Sequence, residues 1–284
     1  MGSQFSPSTN IIRDRSTDLN YHVTPNAQKT AFQLINDFQQ GFHSFSIIGS
    51  YGTGKSSFLW ALESTLSGRK NLFETRNPKG VDKVEFVNIV GSYQSLIEAF
   101  NEEFNIKKDY PGHQLIFDSI YQRYEEVGDS GFLVIVIDEF GEFLEFIAKN
   151  NPEKEMYFIQ QLAEFVNASG RNIMMISTLH QSFESYANGL SEGQRNEWLK
   201  VKGRVKEITF NEPIEQLLFL AAEHLSSNTT ERARSLEHTS ELHSRGHLVC
   251  PLLLAKTYSF FFFLFSLFLL FILSPSFPSL NSLL

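Results

Sequence analysis

The sequence predicts an α/β fold with three layers, in which a mostly parallel sheet of about five strands carries helices on both faces. Two observations predict it. Short apolar strand patterns alternate with one-sided helical patterns along residues 21–225, and such alternation is typical of a doubly wound sheet. The run over residues 132–137 contains only aliphatic and aromatic side chains, which is typical of a central parallel strand that is buried on both faces.

Each predicted element follows from a local pattern. Apolar runs of strand length occupy residues 44–48, 84–90, 132–137, 172–178 and 205–210. Apolar residues at helical spacing occupy residues 25–40, 56–66, 94–104, 114–127, 152–168, 183–187, 194–200 and 214–225. The first helix also has a typical start, because Thr24 suits the N-cap and Pro25 the first helical position.

Composition limits the classes of protein to which the chain can belong. With 284 residues and 42% apolar side chains, it can bury one large core or two small ones. Its net charge of −8 argues against a protein that coats DNA through a global basic field. The single cysteine, Cys250, lies outside the main domain. A disulfide framework and a cysteine metal site are therefore excluded there, and a cytoplasmic location is expected.

The two ends differ from the domain between them. Residues 1–20 are polar and lack the apolar core of a secretory signal, so we expect a flexible lead. Residues 233–245 closely resemble a translated sequencing-library adapter, and residues 258–273 are almost wholly Phe, Leu, Ile and Ser. We interpret residues 226–284 as an assembly artefact. The alternative is a membrane anchor, although this charge-free stretch is shorter than the roughly 20 residues of a spanning helix.

The segment Gly49–Ser56 fits the phosphate-binding pattern G-x-x-x-x-G-K-[ST], or Walker A motif, between a predicted strand and a predicted helix. Its glycines let backbone N–H groups point at phosphate oxygens, and the helix start adds positive charge. Lys55 is expected to contact the β- and γ-phosphates, and Ser56 to bind Mg²⁺. The alternative is a chance glycine-rich turn. The predicted nucleotide contacts are Gly49, Ser50, Tyr51, Gly52, Thr53, Gly54, Lys55, Ser56 and Ser57.

Two acids end the most apolar strand, at the place of a Walker B motif. Hydrolysis of a phosphoanhydride needs an acidic metal ligand and a group that activates water. We therefore expect Asp138 to bind Mg²⁺ and Glu139 to act on the attacking water. The alternative is an ordinary acidic loop that also contains Glu142 and Glu145. The predicted cofactors are ATP and Mg²⁺.

Polar residues after the next strand are candidates for contact with the γ-phosphate or the attacking water. Thr178 is the first of them, followed by His180 and Gln181. The alternative is a plain strand terminus. A metal-ligand role for His180 is not expected, because no second His, Cys or carboxylate lies at ligand spacing.

Arg204 precedes the last predicted strand and is a candidate arginine finger, delivered to the nucleotide of a second copy of the chain. A homo-oligomer would follow from that role, and the alternative is a surface arginine. A basic cluster surrounds it, made of Lys200, Lys202, Arg204 and Lys206. This cluster is a candidate contact for nucleic-acid phosphates, and the alternative is a solvated basic face.

These motifs together resemble the AAA+ and STAND class of P-loop ATPases. Residues 203–210 and 212–217 are similar to the arginine-finger strand and the start of the lid in origin-recognition-type members. Residues 138–145 and 178–183 are similar to large bacterial ATP-binding proteins, some from phage-defence loci. The resemblance covers roughly residues 21–225 and implies ATP, Mg²⁺ and ring or clustered assembly. The helical lid that such proteins carry next is expected to be missing or truncated here.

The expected function is binding and hydrolysis of Mg-ATP, coupled to a partner such as DNA or a defence complex. The alternative is a nucleotide-gated signalling switch with little turnover. A membrane partner is expected only if the tail over residues 258–273 is genuine.

Overall fold

The sheet has five parallel strands in the order β2-β3-β4-β1-β5. The computed structural model describes residues 9–106, 113–150, 152–168, 170–188 and 190–212. Within that part the strands are β1 (Ser44–Ile48), β2 (Lys83–Val90), β3 (Gly131–Asp138), β4 (Ile173–Leu179) and β5 (Lys206–Thr209). All five predicted strands are confirmed.

Helices cover both faces of this sheet. They are α1 (Pro25–Gln39), α2 (Lys55–Leu66), α3 (Leu96–Glu103), α4 (Gln114–Val127), α5 (Phe140–Lys149), α6 (Pro152–Asn167) and α7 (Glu192–Lys202), with a 3-10 helix at Phe183–Ala187. Alternate residues of β3 belong to different apolar clusters. Leu133 and Ile135 pack with α3 to α7, whereas Phe132 and Val134 pack with α1 and α2. The predicted three-layer α/β architecture is therefore confirmed.

Helix α5, which begins directly after the two acids, was not predicted from the sequence. Its buried residues include Phe140, Phe143, Leu144 and Ile147, the i, i+3, i+4, i+7 spacing of a helix with one apolar face. The signal was present in the sequence. The acidic side chains interleaved with it favoured a loop interpretation.

Several predictions fall outside the described residues. These are the helix over residues 214–225, the tail over residues 226–284 with its hydrophobic stretch, and the missing lid. Within the described ranges, no helix combines the length and apolar character needed to cross a bilayer.

The N-terminal segment, residues 9–20, packs against α2, whereas the sequence predicted a flexible lead. Ile11 is 1% exposed and belongs to the apolar cluster of α1 and α2. The Trp60 indole N–H donates to the Asp14 carbonyl (3.0 Å). The Arg15 guanidinium pairs with the buried Glu63 carboxylate of α2 (2.7 Å). These contacts fix the segment to the helix that follows the phosphate loop.

Two neighbouring isoleucines test this packing. Ile11→Ala should lower the free energy of unfolding by about 2–4 kcal/mol, because it leaves a cavity in the cluster. Ile12→Ala is the matched control, since Ile12 is 53% exposed, and should change stability by less than about 0.5 kcal/mol. Denaturant titration of both variants measures the difference. Equal stabilities would show that the N-terminal segment contributes nothing to the folded core.

Candidate functional site

The predicted site residues other than Arg204 converge at the carboxyl edge of the sheet. Strand β4 lies between β1 and β3, and the three run parallel. The phosphate loop follows β1, Asp138 ends β3, and Thr178 is the penultimate residue of β4. Because parallel strands end at one edge, three stretches that are distant in sequence lie side by side.

Glycines shape the phosphate loop. Gly52 and Gly54 have φ angles of 76° and 83°, in the left-handed region that favours glycine. Gly49 is needed for a different reason, because a Cβ there would lie 2.2 Å from the Phe210 carbonyl oxygen. The Gly49 N–H also donates to the Leu179 carbonyl (3.1 Å). The start of the loop is therefore held between the ends of β4 and β5.

The Lys55 side chain lies inside this loop. It is 6% exposed, and its Nζ donates to the carbonyls of Gly49 (2.6 Å) and Ser50 (2.9 Å). Burial lowers the pKa of Lys55, while the negative charges of Asp138 and Glu139 oppose that shift. The ammonium group is thus held by the loop carbonyls and lies within electrostatic range of the acid pair.

The acid pair is organised by Thr178, which is fully buried. Its hydroxyl donates to Asp138 Oδ1 (2.6 Å) and accepts from the Glu139 N–H (2.9 Å). The same N–H also lies 3.1 Å from Asp138 Oδ1. The Thr178 hydroxyl therefore donates its proton to the carboxylate of Asp138 and accepts from the backbone of Glu139. These two contacts fix both acids relative to β4. The loop between β1 and α2, with this acid pair at the end of β3 on the other side of β4, decides the fold.

The chain has a P-loop NTPase fold.

Glu139 has an unusual backbone and an elevated pKa. Its φ of 53° is uncommon for a residue with a side chain, and such outliers persist only where their surroundings impose them. Desolvation raises the pKa of Glu139, the charges of Asp138 and Glu142 raise it further, and Lys55 opposes them. A carboxylate with a raised pKa is a better proton acceptor.

The donor set of this P-loop fits a magnesium–nucleotide complex. Among the described residues, no group of three or more His, Cys, Asp or Glu side chains could hold a metal ion. Mg²⁺ in phosphate sites commonly binds one or two carboxylates together with phosphate oxygens and water. Asp138 supplies a buried carboxylate of this kind, and the Ser56 hydroxyl, in the first turn of α2, is a further oxygen donor.

His180 and Tyr51 form a contact that the sequence did not predict. Their rings stack with centroids 3.6 Å apart and an interplanar angle of 21°. Burial lowers the pKa of His180, and the nearby Lys55 charge lowers it further. The stack connects the phosphate loop to the residue that follows β4. A pairing between two loops at this separation leaves no local pattern in the sequence.

Arg204 does not reach the phosphate loop of its own chain. It precedes β5 and therefore lies toward the amino edge of the sheet. Its guanidinium pairs with Glu164 (2.7 Å) and donates to the Lys200 carbonyl (2.8 Å). The lysines of the predicted basic cluster are also paired, Lys200 with Glu197, Lys202 with Glu184 and Lys206 with Asp37. This face is charge-balanced, as expected for a solvated surface.

No family model matches the sequence, and no curated protein matches it. Among solved structures, the P-loop chain is similar to Aeropyrum pernix ORC2 in ADPNP and ADP complexes. The identity is 16% and the TM-score 0.49, over 74% of this chain and 55% of that one. Drosophila ORC bound to DNA has 16% identity and a TM-score of 0.41, over 75% and 50% of the two chains. C. elegans PCH-2 has 18% identity and a TM-score of 0.41, over 73% and 46%.

The chain thus spans about half the length of these matched structures. At such identities the likeness concerns the fold alone. The resemblance to AAA+ P-loop ATPases itself rests on the sequence motifs.

Proposed function

We propose that this chain binds Mg-ATP at residues 49–57 and hydrolyses it, coupling the nucleotide state to a partner. One observation carries the proposal. The phosphate loop, with Lys55 inside it, and the Asp138–Glu139 pair occupy the same edge of the sheet, on either side of the end of β4. In that arrangement a lysine ammonium group can bind the phosphates, and two carboxylates can bind the metal ion and orient the attacking water of the same substrate.

Each residue has a separate task in this proposal. The loop N–H groups bind phosphate oxygens, and Lys55 exchanges its contacts with the loop carbonyls for the β- and γ-phosphates. Asp138 and Ser56 hold the Mg²⁺, which neutralises phosphate charge when bound. Glu139 orients the attacking water and accepts its proton. Thr178 keeps both acids in place.

Assembly and partners belong to the same proposal. Arg204 acts on the nucleotide of a second copy, after exchanging Glu164 for the γ-phosphate. DNA or a defence complex is the proposed partner, through surfaces other than the ion-paired face around α7.

Titration of the purified chain with ATP, with and without Mg²⁺, followed by a phosphate-release assay, tests the proposal. Magnesium-dependent binding with sustained phosphate release is expected. Tight binding with negligible release, together with nucleotide-dependent assembly, would favour the signalling switch instead. If calorimetry on a folded sample detects no magnesium-dependent heat of ATP binding, both the ATPase and the signalling switch are overturned.

Thr178→Val should lower turnover by roughly 10- to 100-fold, because it removes the hydroxyl that holds both acids while keeping the side chain's shape. This loss corresponds to the roughly 1.5–3 kcal/mol of a hydrogen bond to a charged group. Ser177→Ala is the control, since it removes a neighbouring buried hydroxyl that donates to the Phe45 carbonyl (3.2 Å) instead. Steady-state kinetics of both variants decide the matter. A similar loss in the two would mean that Thr178 serves only the stability of β4.

A further inference from the structure

Gly91 follows β2 and touches the backbone that carries the two acids. Val90 pairs with Asp138 in the sheet register, and the Gly91 N–H donates to the Asp138 carbonyl (2.7 Å). A Cβ at Gly91 would lie 2.0 Å from the Glu139 carbonyl oxygen, 2.7 Å from the Glu139 carbonyl carbon and 3.2 Å from the Asp138 carbonyl oxygen. All three atoms belong to the main chain of the acid pair.

Conformational freedom does not explain this glycine. The φ angle of Gly91 is not positive, unlike the φ angles of Gly52 and Gly54. What the position requires is the absence of a side chain. Contacts at 2.0 Å and 2.7 Å are shorter than real Cβ atoms make, so any other residue would have to push the Glu139 peptide away.

The Glu139 peptide has little room to absorb such a push. Its N–H is held by Thr178 Oγ1 at 2.9 Å, and its φ of 53° is already a strained value for a residue with a side chain. Residues of β3 before it are buried throughout. A side chain at residue 91 can therefore be accommodated only by lengthening the Gly91 contact to Asp138 or by turning the Glu139 peptide, and with it the Glu139 side chain.

We propose that Gly91 is a positioning residue for hydrolysis, which allows the end of β2 to press against the Glu139 peptide and so fixes where Glu139 meets the attacking water. This inference rests on the proposed function. Gly91 contacts the backbone of Asp138 and Glu139, whereas the start of the phosphate loop is held by Leu179 and Phe210. Turnover and nucleotide affinity should consequently separate in a Gly91 variant.

Gly91→Ala and Gly193→Ala make a matched pair. A Cβ at Gly193, in α7, would meet no atom within 4 Å, so the same chemical change is harmless there. For Gly91→Ala we expect kcat to fall about 10²-fold, since a misplacement of about 1 Å has that effect on catalysis. Its Kd for Mg-ATP should stay within about threefold of the wild type, and Gly193→Ala should match the wild type in both.

The results distinguish a positioning role of Gly91 from a purely structural one. A Gly91→Ala protein with wild-type kcat, in a wild type that hydrolyses ATP, would overturn the inference alone. One that fails to fold, or loses ATP affinity in step with kcat, would show a merely structural glycine and overturn it too. A wild type without any turnover would remove the proposed hydrolysis and this inference with it. A crystal structure of Gly91→Ala should show a displaced Glu139 carbonyl and a lengthened Gly91 N–H contact to Asp138.

Discussion

Glu139→Gln is expected to lower kcat by about 10²–10⁴-fold, the usual contribution of a general base, and to leave the affinity for Mg-ATP unchanged. The amide has nearly the shape of the carboxylate but cannot accept a proton from water. The contacts that place residue 139 are made by its backbone N–H, to Thr178 and to Asp138, so they survive the substitution. Phosphate-release kinetics and calorimetry on the same sample separate the two effects.

Glu145→Gln is the control for this experiment. Glu145 is an exposed acid of α5, and losing its charge changes the net charge by the same amount. Glu142 is a poorer choice, because its charge raises the pKa of Glu139. Hydrolysis by Glu139→Gln at the rate of the Glu145→Gln control would remove Glu139 from the mechanism.

Lys55→Met should weaken Mg-ATP binding by roughly 10- to 100-fold, which corresponds to the loss of about 1.5–3 kcal/mol of hydrogen bonding to a charged group. Methionine fills most of the buried volume of the lysine but carries no charge. Because burial already disfavours the charged form of Lys55, the free protein should lose little stability. The stabilisation that saturating ATP gives the wild type should shrink or disappear.

Thermal unfolding with and without Mg-ATP measures this change. Lys200→Met provides the comparison, since Lys200 lies on α7 with 55% of its side chain exposed and pairs with Glu197. An ATP-induced rise in Tm that is equal in the two variants would show that Lys55 does not contact the phosphates.

The sequence predicts the parts of this molecule that have a local period or a fixed motif. The phosphate loop and the acid pair are motifs, and β3 is a continuous apolar run, so all three were found before the structure. The alternation of strands with helices predicted a doubly wound sheet, but it did not predict the order of the strands. Local patterns therefore sufficed for the fold and for the main candidate residues.

Contacts between distant residues could not be predicted in the same way. Ile11 and Arg15 look like parts of a polar lead, and only α2, nearly fifty residues later, shows what they pack against. Gly91 belongs to no motif, and its role depends on a backbone carbonyl at Glu139. The period of α5 was readable, but acidic residues at intervals along it gave a competing interpretation.

Strand β3 lies between β2 and β4 in the sheet and is hydrogen-bonded to both. Every residue of the strand is buried. Such central strands open least often in native proteins, and exposed loops most often. Asp138 is consequently part of a buried strand that is paired on both sides, and Glu139 follows it directly. If the chain hydrolyses ATP as proposed, we expect release of the product nucleotide to depend on the turn after β1, where Tyr51, Gly52 and Gly54 are exposed.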